Sequence, residues 1–479
     1  MSNRHGKALI VALLPLMALL AGVSQAAMTD APPSAPTLPR KGVLGVGSKA
    51  LDEAAAKPLL LSAGEGLLVT LVLPGSSAEQ LGLQQGQVLL SVNGRKFSRH
   101  EELGAFTQTL RAGDRIEVEV QDAAGKRQTR QGLIQGRPLE SSAFGEVRYG
   151  ATAVDLGLLR TISHIPKHAP GTKLPTIFFL QGYTCDSQDF GANPEHSVRR
   201  LIDDWVRAGY AVHRFERPNI GDSRTSKDCR DIDYSEELAL HQQVYRQLLS
   251  EDYVDKANVF LFGHSLGSVT APLLAEVHQP RGTMVYGVVA RSWFEYFLDI
   301  SRLQSVLAGS TQLEAESEVR ALIPVYYEWL EKGRSPAQMK KSDPALAKSL
   351  EAQGGALNVN GDYVFGRSYK FWHSMNQRPM AQAWSRVGGK VLAMHAQFDL
   401  QAISPRDAEL IAATVNESHP GQASFALVSG AEHAFLKADS YREAREQMAP
   451  DRAMASLQQR YNPAIGQLTL AWLSKAKTP

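Results

Sequence analysis

The pattern of apolar and polar positions changes character several times along the chain. Residues 8–23 form one apolar run, broken only by Pro15, and residues 29–40 (TDAPPSAPTLPR) hold four prolines with little apolar content. From about residue 41 to 138, short β-type runs alternate with turn signals: Val43–Val46, Leu67–Leu73, Val88–Val92 and Ile116–Val120, with Asn93-Gly94 marking a tight turn. Ser98 followed by Glu101 reads as a capping box that opens a helix over Arg99–Leu110. From about residue 143 onward strand-like and helix-like segments alternate, and Thr176–Gln181 is a continuous apolar run. Strands are predicted at Thr161–Ile165, Thr176–Gln181, Ala211–Phe215, Val259–Phe262, Val285–Ala290, Lys390–His395 and Ser424–Ser429, and helices at His196–Ala208 and Glu236–Ser250. Runs of this kind alternating with helices imply a parallel sheet covered on both faces, an α/β fold.

Between Ala290 and Lys390 lie about 100 residues, where a parallel crossover needs only a dozen or so. This insert, about 293–386, contains helical stretches at Glu314–Leu330 and Pro344–Ala352. It is rich in large aromatics, Trp293, Phe297, Trp329 and Trp372 among them. It predicts a cap in which most aromatics pack inward and the remainder line an apolar substrate pocket. The lone His373 within it is expected to be a surface or packed residue rather than a catalytic one.

Charge and composition narrow the function classes. The 479 residues carry 51 Lys+Arg and 49 Asp+Glu, and 43% are hydrophobic, so the chain is globular and long enough for two or three domains. Arg4 and Lys7 are the charges of the first 26 residues, so the remainder holds 49 of each sign. No basic excess exists from which to build a nucleic-acid face. Arg4 and Lys7, the 16-residue apolar run and Ser24-Gln25-Ala26-Ala27 together read as a secretory signal peptide over 1–26. The run is short of the roughly 20 residues that span a bilayer. The expected product is a soluble exported protein, periplasmic or secreted, with a flexible linker over 27–40 and no integral membrane segment after signal removal. Two cysteines exclude a disulfide-dense scaffold, and no metal-ligand or phosphate-loop motif suggests a metal or cofactor.

The densest chemistry follows one predicted strand. Asn258-Val-Phe-Leu-Phe-Gly263-His264-Ser265-Leu266-Gly267 is a strand, then G-x-S-x-G, then an apolar helix from Val269. In that context the glycines permit a tight turn and Ser265 stands exposed at its tip. A serine hydroxyl needs a base, and the base needs a carboxylate to orient it. Asp399 ends the loop after the Lys390 strand, and His433 lies in the loop after the last strand, in the order Ser, acid, His. Asp407 and Glu432 are alternative acids. The oxyanion donors are expected from the backbone N–H of Leu266 and from that of Tyr183, in Gln181-Gly182-Tyr183-Thr184.

Elbow, acid, base and loops in this order resemble the α/β-hydrolase superfamily over residues 143–479. Arg217-Pro218-Asn219-Ile220-Gly221-Asp222-Ser223 looks like that fold's glycine-containing loop, and Gln181 stands where many relatives have His. The resemblance brings the loops of Cys185 and Cys229 to the same sheet edge, which with export implies a Cys185–Cys229 disulfide. The stretch Gly66–Gly94 (GLLVTLVLPGSSAEQLGLQQGQVLLSVNG) resembles a PDZ domain of the bacterial exported-protease type, placed over 41–138. That likeness implies capture of a protein C-terminus at Gly66, Leu67 and Leu68, with the peptide added as an extra strand. Gln87 and Glu65 depart from the family pattern, so a PDZ domain that only packs against its neighbour stays open. The G-N-S-G-G segment of trypsin-like exported proteases is absent from the sequence. Three functions follow in order: hydrolysis of carboxylic esters, a peptidase whose PDZ domain captures substrate C-termini, and a non-catalytic PDZ adaptor.

Overall fold

The computed structural model describes residues 38–353, 357–449 and 451–477. The signal segment expected over 1–26, and the proline-rich stretch as far as residue 37, lie outside the described residues. Near the amino terminus, strands Val46–Ala50, Leu67–Val72, Val88–Val92, Arg115–Gln121 and Arg127–Leu133 pair in that order as an antiparallel sheet. Ile116, Val118 and Val120 alternate inward and meet Leu67, Leu89 and Leu103 in one apolar cluster. Arg127–Leu133 was not predicted. Its polar sequence RQTRQGL has no buried face, and it is held as an edge strand by its ladder with Arg115–Gln121. The helix runs His100–Thr107, later than its predicted start. Glu102 rather than Glu101 accepts from Ser98 N and Oγ, because Ser98 sits one residue before the N-cap Arg99.

Residues 38–40, grouped with a flexible linker by their proline context, are anchored. Leu38 is buried, and Arg40 Nη1 lies 2.5 Å from Asp189 and 2.8 Å from Asp222 while its guanidinium covers the Tyr149 ring. Lys41 N also donates to Asp222 at 2.8 Å. Asp189 and Asp222 are themselves buried, so a charged partner is required there.

The larger sheet has nine strands. From one edge its order is Arg224–Thr225, Gly157–Pro166, Ala211–Phe215, Leu174–Leu180, Val254–His264, Gly282–Tyr286, Lys390–Ala396 and Ala423–Val428, with Gly145–Val154 paired to Gly157–Pro166. The last six in that order run parallel, and Gly157–Pro166 joins them antiparallel. Along Leu174–Leu180, Ile177 and Phe179 face one apolar cluster and Phe178 and Leu180 the other. Helices Ser197–Arg207 and Pro463–Ala476 supply the first, through Leu201, Trp205, Ile465 and Leu473. Tyr234–Leu248, Gly267–His278 and Arg406–Ser418 supply the second, through Leu240, Leu274 and Ile411. This is the helix-covered, mostly parallel sheet that the hydrolase resemblance implies.

The insert lies between Gly282–Tyr286 and Lys390–Ala396. It includes helices Trp293–Leu307, Gln312–Tyr326 and Tyr369–Asn376 and the short hairpin Tyr363–Val364/Arg367–Ser368. The strand expected over Val285–Ala290 stops at Tyr286, where Gly287 turns at φ +65°. The helix expected to Leu330 is α-helical to Tyr326 and then takes a π turn over Tyr327–Glu331. Trp293, Phe297, Trp329 and Trp372 are buried against one another and pack the insert onto the core.

Cys185 and Cys229 form a disulfide with a sequence separation of 44. It joins the loop after Leu174–Leu180 to the segment between strand Arg224–Thr225 and helix Tyr234–Leu248. Reducing it, or replacing both cysteines by alanine, is expected to lower stability by roughly 2–4 kcal/mol, the typical range for a disulfide, with the chain-entropy value for this loop at the upper end. Calorimetry with and without reductant reads this as a fall in Tm. An unchanged Tm would mean that other contacts already close the loop.

Candidate active site

The turn between strand Val254–His264 and helix Gly267–His278 is shaped by close backbone approach. A Cβ on Gly263 would lie 2.4 Å from Gly267 O, and one on Gly267 would lie 2.1 Å from Leu180 O. No side chain fits at either position. Ser265 sits between them at φ +54°, a left-handed conformation that costs a non-glycine residue about 1–3 kcal/mol. Its N–H donates to Tyr286 O at 2.9 Å, which ties the turn to the next strand.

At the same edge, His433 Nδ1 lies 2.9 Å from Asp399 Oδ2. Asp399 is fully buried, and its Oδ1 accepts from Gln401 N and Ala402 N, both at 2.8 Å. Burial alone would push the Asp399 carboxyl up, but His433, then His395 and the Gln401 N–H, hold it below the ordinary aspartate value. Burial would lower His433, and the Asp399 carboxylate outweighs it, so the imidazole is raised above 6.5. Since Oδ2 accepts, Nδ1 carries the proton and Nε2 is left to act as a base.

Two residues not singled out in the sequence complete the seat of His433. A Cβ on Gly287 would lie 2.7 Å from His433 Cε1, so only glycine lets the ring in. His264, the x of G-x-S-x-G, donates from Nε2 to His433 O at 2.9 Å, and the two rings are 4.9 Å apart. Burial, then the neighbouring His433, pushes its pKa down to about 3, so it stays neutral. Nothing in the motif marks either role, because both arise from a contact with a loop about 150 residues away.

Gly182 stands beside Ser265: a Cβ there would be 3.4 Å from Ser265 Cβ and 3.7 Å from Oγ. The next residue, Tyr183, packs its ring on Trp372 and Phe365 of the insert. Leu266 is fully buried at the N-cap of Gly267–His278. The structure thus brings Ser265, Leu266, Gly182-Tyr183, Asp399 and His433 to one edge of the sheet. The alternative acids lie elsewhere in the bonding pattern. Asp407 receives Arg291 Nε at 3.0 Å, and Glu432 Oε1 accepts from Ala434 N and Leu436 N. His373 Nδ1 donates to Leu330 O at 2.8 Å within the insert.

Glu432 offers a test of local electrostatics. Burial pushes its pKa up to about 7, from an unfolded value near 4.5. A raised carboxyl pKa means that folding loses stability as pH rises from about 4.5 to about 7 and is level above that. Glu432→Gln keeps the Oε1 acceptor and removes the charge. It is expected to stabilise at pH 8 and to do little at pH 4.5 in urea unfolding, and equal effects at both would contradict the assignment.

The predicted peptide site is corrected by the small sheet. Strand Leu67–Val72 is paired on both sides, by Val46–Ala50 and by Val88–Val92, so no peptide strand can add beside it. Leu67 is fully buried, and Gly66 is needed because a Cβ there would lie 2.8 Å from Leu89 O. The strand facing helix His100–Thr107 is the edge strand Val46–Ala50, where Ser48 Oγ and His100 Nδ1 are 2.8 Å apart.

Residues 37–121 match the PDZ domain family. A probable periplasmic serine protease do/HhoA-like of Haemophilus influenzae is 38% identical over 79 residues, which is 16% of this chain and 17% of that protein. The periplasmic serine endoprotease DegP of Escherichia coli strain K12 is 34% identical over 77 residues, 16% of each chain. The matches therefore span about a sixth of these relatives. Among solved structures, a thermostable carboxyl esterase from Bacillus coagulans aligns at 14% identity and a TM-score of 0.40, covering 69% of this chain and 98% of that one. A monoglyceride lipase from Saccharomyces cerevisiae aligns at 13% identity and a TM-score of 0.40, covering 71% and 100%. Among the described residues, no helix is long and apolar enough to cross a membrane.

Proposed function

We propose that this chain is an exported serine hydrolase of carboxylic esters. The observation that carries the reading is the buried Asp399 carboxylate bonded to His433 Nδ1 at the edge where Ser265 stands on its strained turn. In this reading Ser265 Oγ attacks the ester carbonyl, and His433 Nε2 takes its proton. Asp399 steadies the imidazolium that forms. The Tyr183 and Leu266 N–H groups stabilise the oxyanion, and Leu266 opens a helix whose first N–H groups lack intrahelical acceptors. His433 returns its proton to the leaving alkoxide, and water then releases the acyl group by the same path reversed. Export accords with the disulfide.

The PDZ domain is proposed to take a peptide C-terminus along the edge of Val46–Ala50, facing helix His100–Thr107. A peptidase would need an anchor for a peptide terminus. The cap acids Glu314, Glu316 and Glu328 are engaged by Thr311, Arg302 and Arg334 respectively, which favours the ester reading.

A fluorophosphonate probe on purified protein, followed by matched ester and amide substrates, tests the reading. Labelling at Ser265 with ester cleavage well ahead of amide cleavage is expected. Amide cleavage at the ester's rate would favour the peptidase, and a folded protein that never labels would favour the adaptor.

A further inference from the structure

Beneath the loop that carries Tyr183 lies a buried ionic unit assembled from three separate parts of the chain. Glu237, on helix Tyr234–Leu248, accepts from Arg217 Nε and Nη2 at 3.0 and 2.7 Å on Oε1, and from Arg367 Nη2 at 2.5 Å on Oε2. All three side chains are 1% exposed. Each arginine spends its remaining prong on the same loop. Arg367 Nη1 donates to Tyr183 O at 2.9 Å, and Arg217 Nη1 donates to Thr184 O at 2.6 Å.

We propose that Arg217, Glu237 and Arg367 are positioning residues for the oxyanion site, a proposal that rests on the hydrolase reading above. The two carbonyls belong to the peptide planes Tyr183–Thr184 and Thr184–Cys185, the two that follow the proposed donor. On the other side, strand Leu174–Leu180 fixes the chain as far as Leu180. Between them Gly182 is the residue with the widest backbone freedom. Pinning both downstream planes restricts the rotation that would swing the Tyr183 N–H away from Ser265. The disulfide from Cys185 to Cys229, with Cys229 N donating to Pro218 O beside Arg217, closes the same frame.

Packing alone does not call for such a unit. Two guanidiniums facing one carboxylate leave a surplus positive charge in the interior, and Arg367 Nε is buried without a partner. Apolar side chains would fill the same space at lower cost. His241, bonded through Nδ1 to Glu237 O, is pushed down to about 4 by burial, so it adds no charge. The surplus charge therefore stands behind the loop that must receive a developing oxyanion, where a fixed positive charge favours the transition state over the ground state. Arg367 comes from the insert, on the strand Arg367–Ser368, and its guanidinium stacks on Phe371 at 3.7 Å. Ser368 N bonds to Arg230 O, next to Cys229. The oxyanion loop takes its final geometry only when the cap is seated, so the cap serves in catalysis as well as in shaping a pocket.

The test uses the full chain with Arg367→Lys and Arg217→Lys, which keep the charge and lose the fork. Active sites are counted by fluorophosphonate labelling, and folding is checked by near-ultraviolet circular dichroism. Each variant is expected to lose roughly 10- to 100-fold in kcat with KM within about threefold, as for a misplaced donor. Affinity for an alkylboronic acid, which forms a tetrahedral adduct on serine, should fall by the same factor as kcat/KM. The pH midpoint of kcat should not move, because Asp399 and His433 are untouched. Folded variants with wild-type kcat overturn the proposal. So does a fall in kcat with unchanged boronate affinity, which a general structural role would produce. Failure of both variants to fold also overturns it, since the unit would then be a folding determinant. If the wild-type protein is not labelled at Ser265, the hydrolase reading fails and this proposal falls with it. Labelled wild type with unaffected variants removes this proposal alone.

Discussion

Ser265→Ala is expected to lower kcat for ester hydrolysis by about 10⁴- to 10⁶-fold and to leave the fold intact. The substitution removes Oγ and nothing that supports the turn. The bond that ties the turn to its neighbouring strand comes from Ser265 N, and the glycines that the turn requires are Gly263 and Gly267. Alanine at φ +54° meets the same backbone penalty as serine, so Tm should stay within a degree or two of wild type. A residual rate above that of water should remain, because the oxyanion donors and the binding surface are retained. The measurement is kcat on a p-nitrophenyl ester, with Tm in parallel. A variant that keeps a tenth of wild-type activity would remove Ser265 from the mechanism.

Asp399→Asn is expected to cost about 10⁴-fold in kcat. The geometry gives a definite reason. Oδ1 is held by the N–H groups of Gln401 and Ala402, so an asparagine oxygen must occupy that position. Its NH₂ then falls where Oδ2 was, 2.9 Å from His433 Nδ1. The imidazole must accept there, its proton moves to Nε2, and Nε2 can no longer take one from serine. The pH dependence follows from the same pair. The Asp399 carboxylate raises His433 above 6.5, so wild-type kcat/KM should rise with pH through a midpoint above that value, and the variant's midpoint should fall. The raised imidazole contributes stability that is present below about 6.5 and is lost as pH rises through its folded value. The lowered carboxyl contributes stability that is present above about 3.8 and is lost as pH falls through its folded value. The pair is therefore worth most between those limits, and Asp399→Asn should cost most stability there. A rate loss under tenfold, or an unmoved pH midpoint, would remove Asp399 as the orienting acid.

Much of the architecture was legible because it depends on local pattern. Ala211–Phe215 and Val88–Val92 match their predicted limits, since β-branched, aromatic and other apolar residues at their ends mark short strands, even though His213, Arg214 and Ser91 are buried within them. Gly263 and Gly267 were legible for a steric reason, as a turn this tight leaves no room for Cβ. Arg127–Leu133 was missed because its partner's backbone, not its own side chains, makes it a strand. The peptide edge was misjudged for a related reason. Gly66-Leu67-Leu68 has the right apolar character, but which strand lies at the edge depends on the order of pairing, and that order is decided by strands distant in sequence.

The sequence by itself determined the helix-covered, mostly parallel sheet and the strand–turn–helix around Ser265. Each of these follows from hydrophobic periodicity or from the backbone freedom of glycine, and both are properties of short segments. Tertiary structure alone decided which carboxylate reaches His433, that Gly287 and His264 seat its ring, and that Arg40 docks the amino-terminal sheet on Asp189 and Asp222. It also decided that arginines 150 residues apart share Glu237 beneath the loop of Tyr183. The physical reason is common to all of them. A charge or a lone pair buried away from water must find its partner in space, and separation along the chain carries no information about which group that partner is.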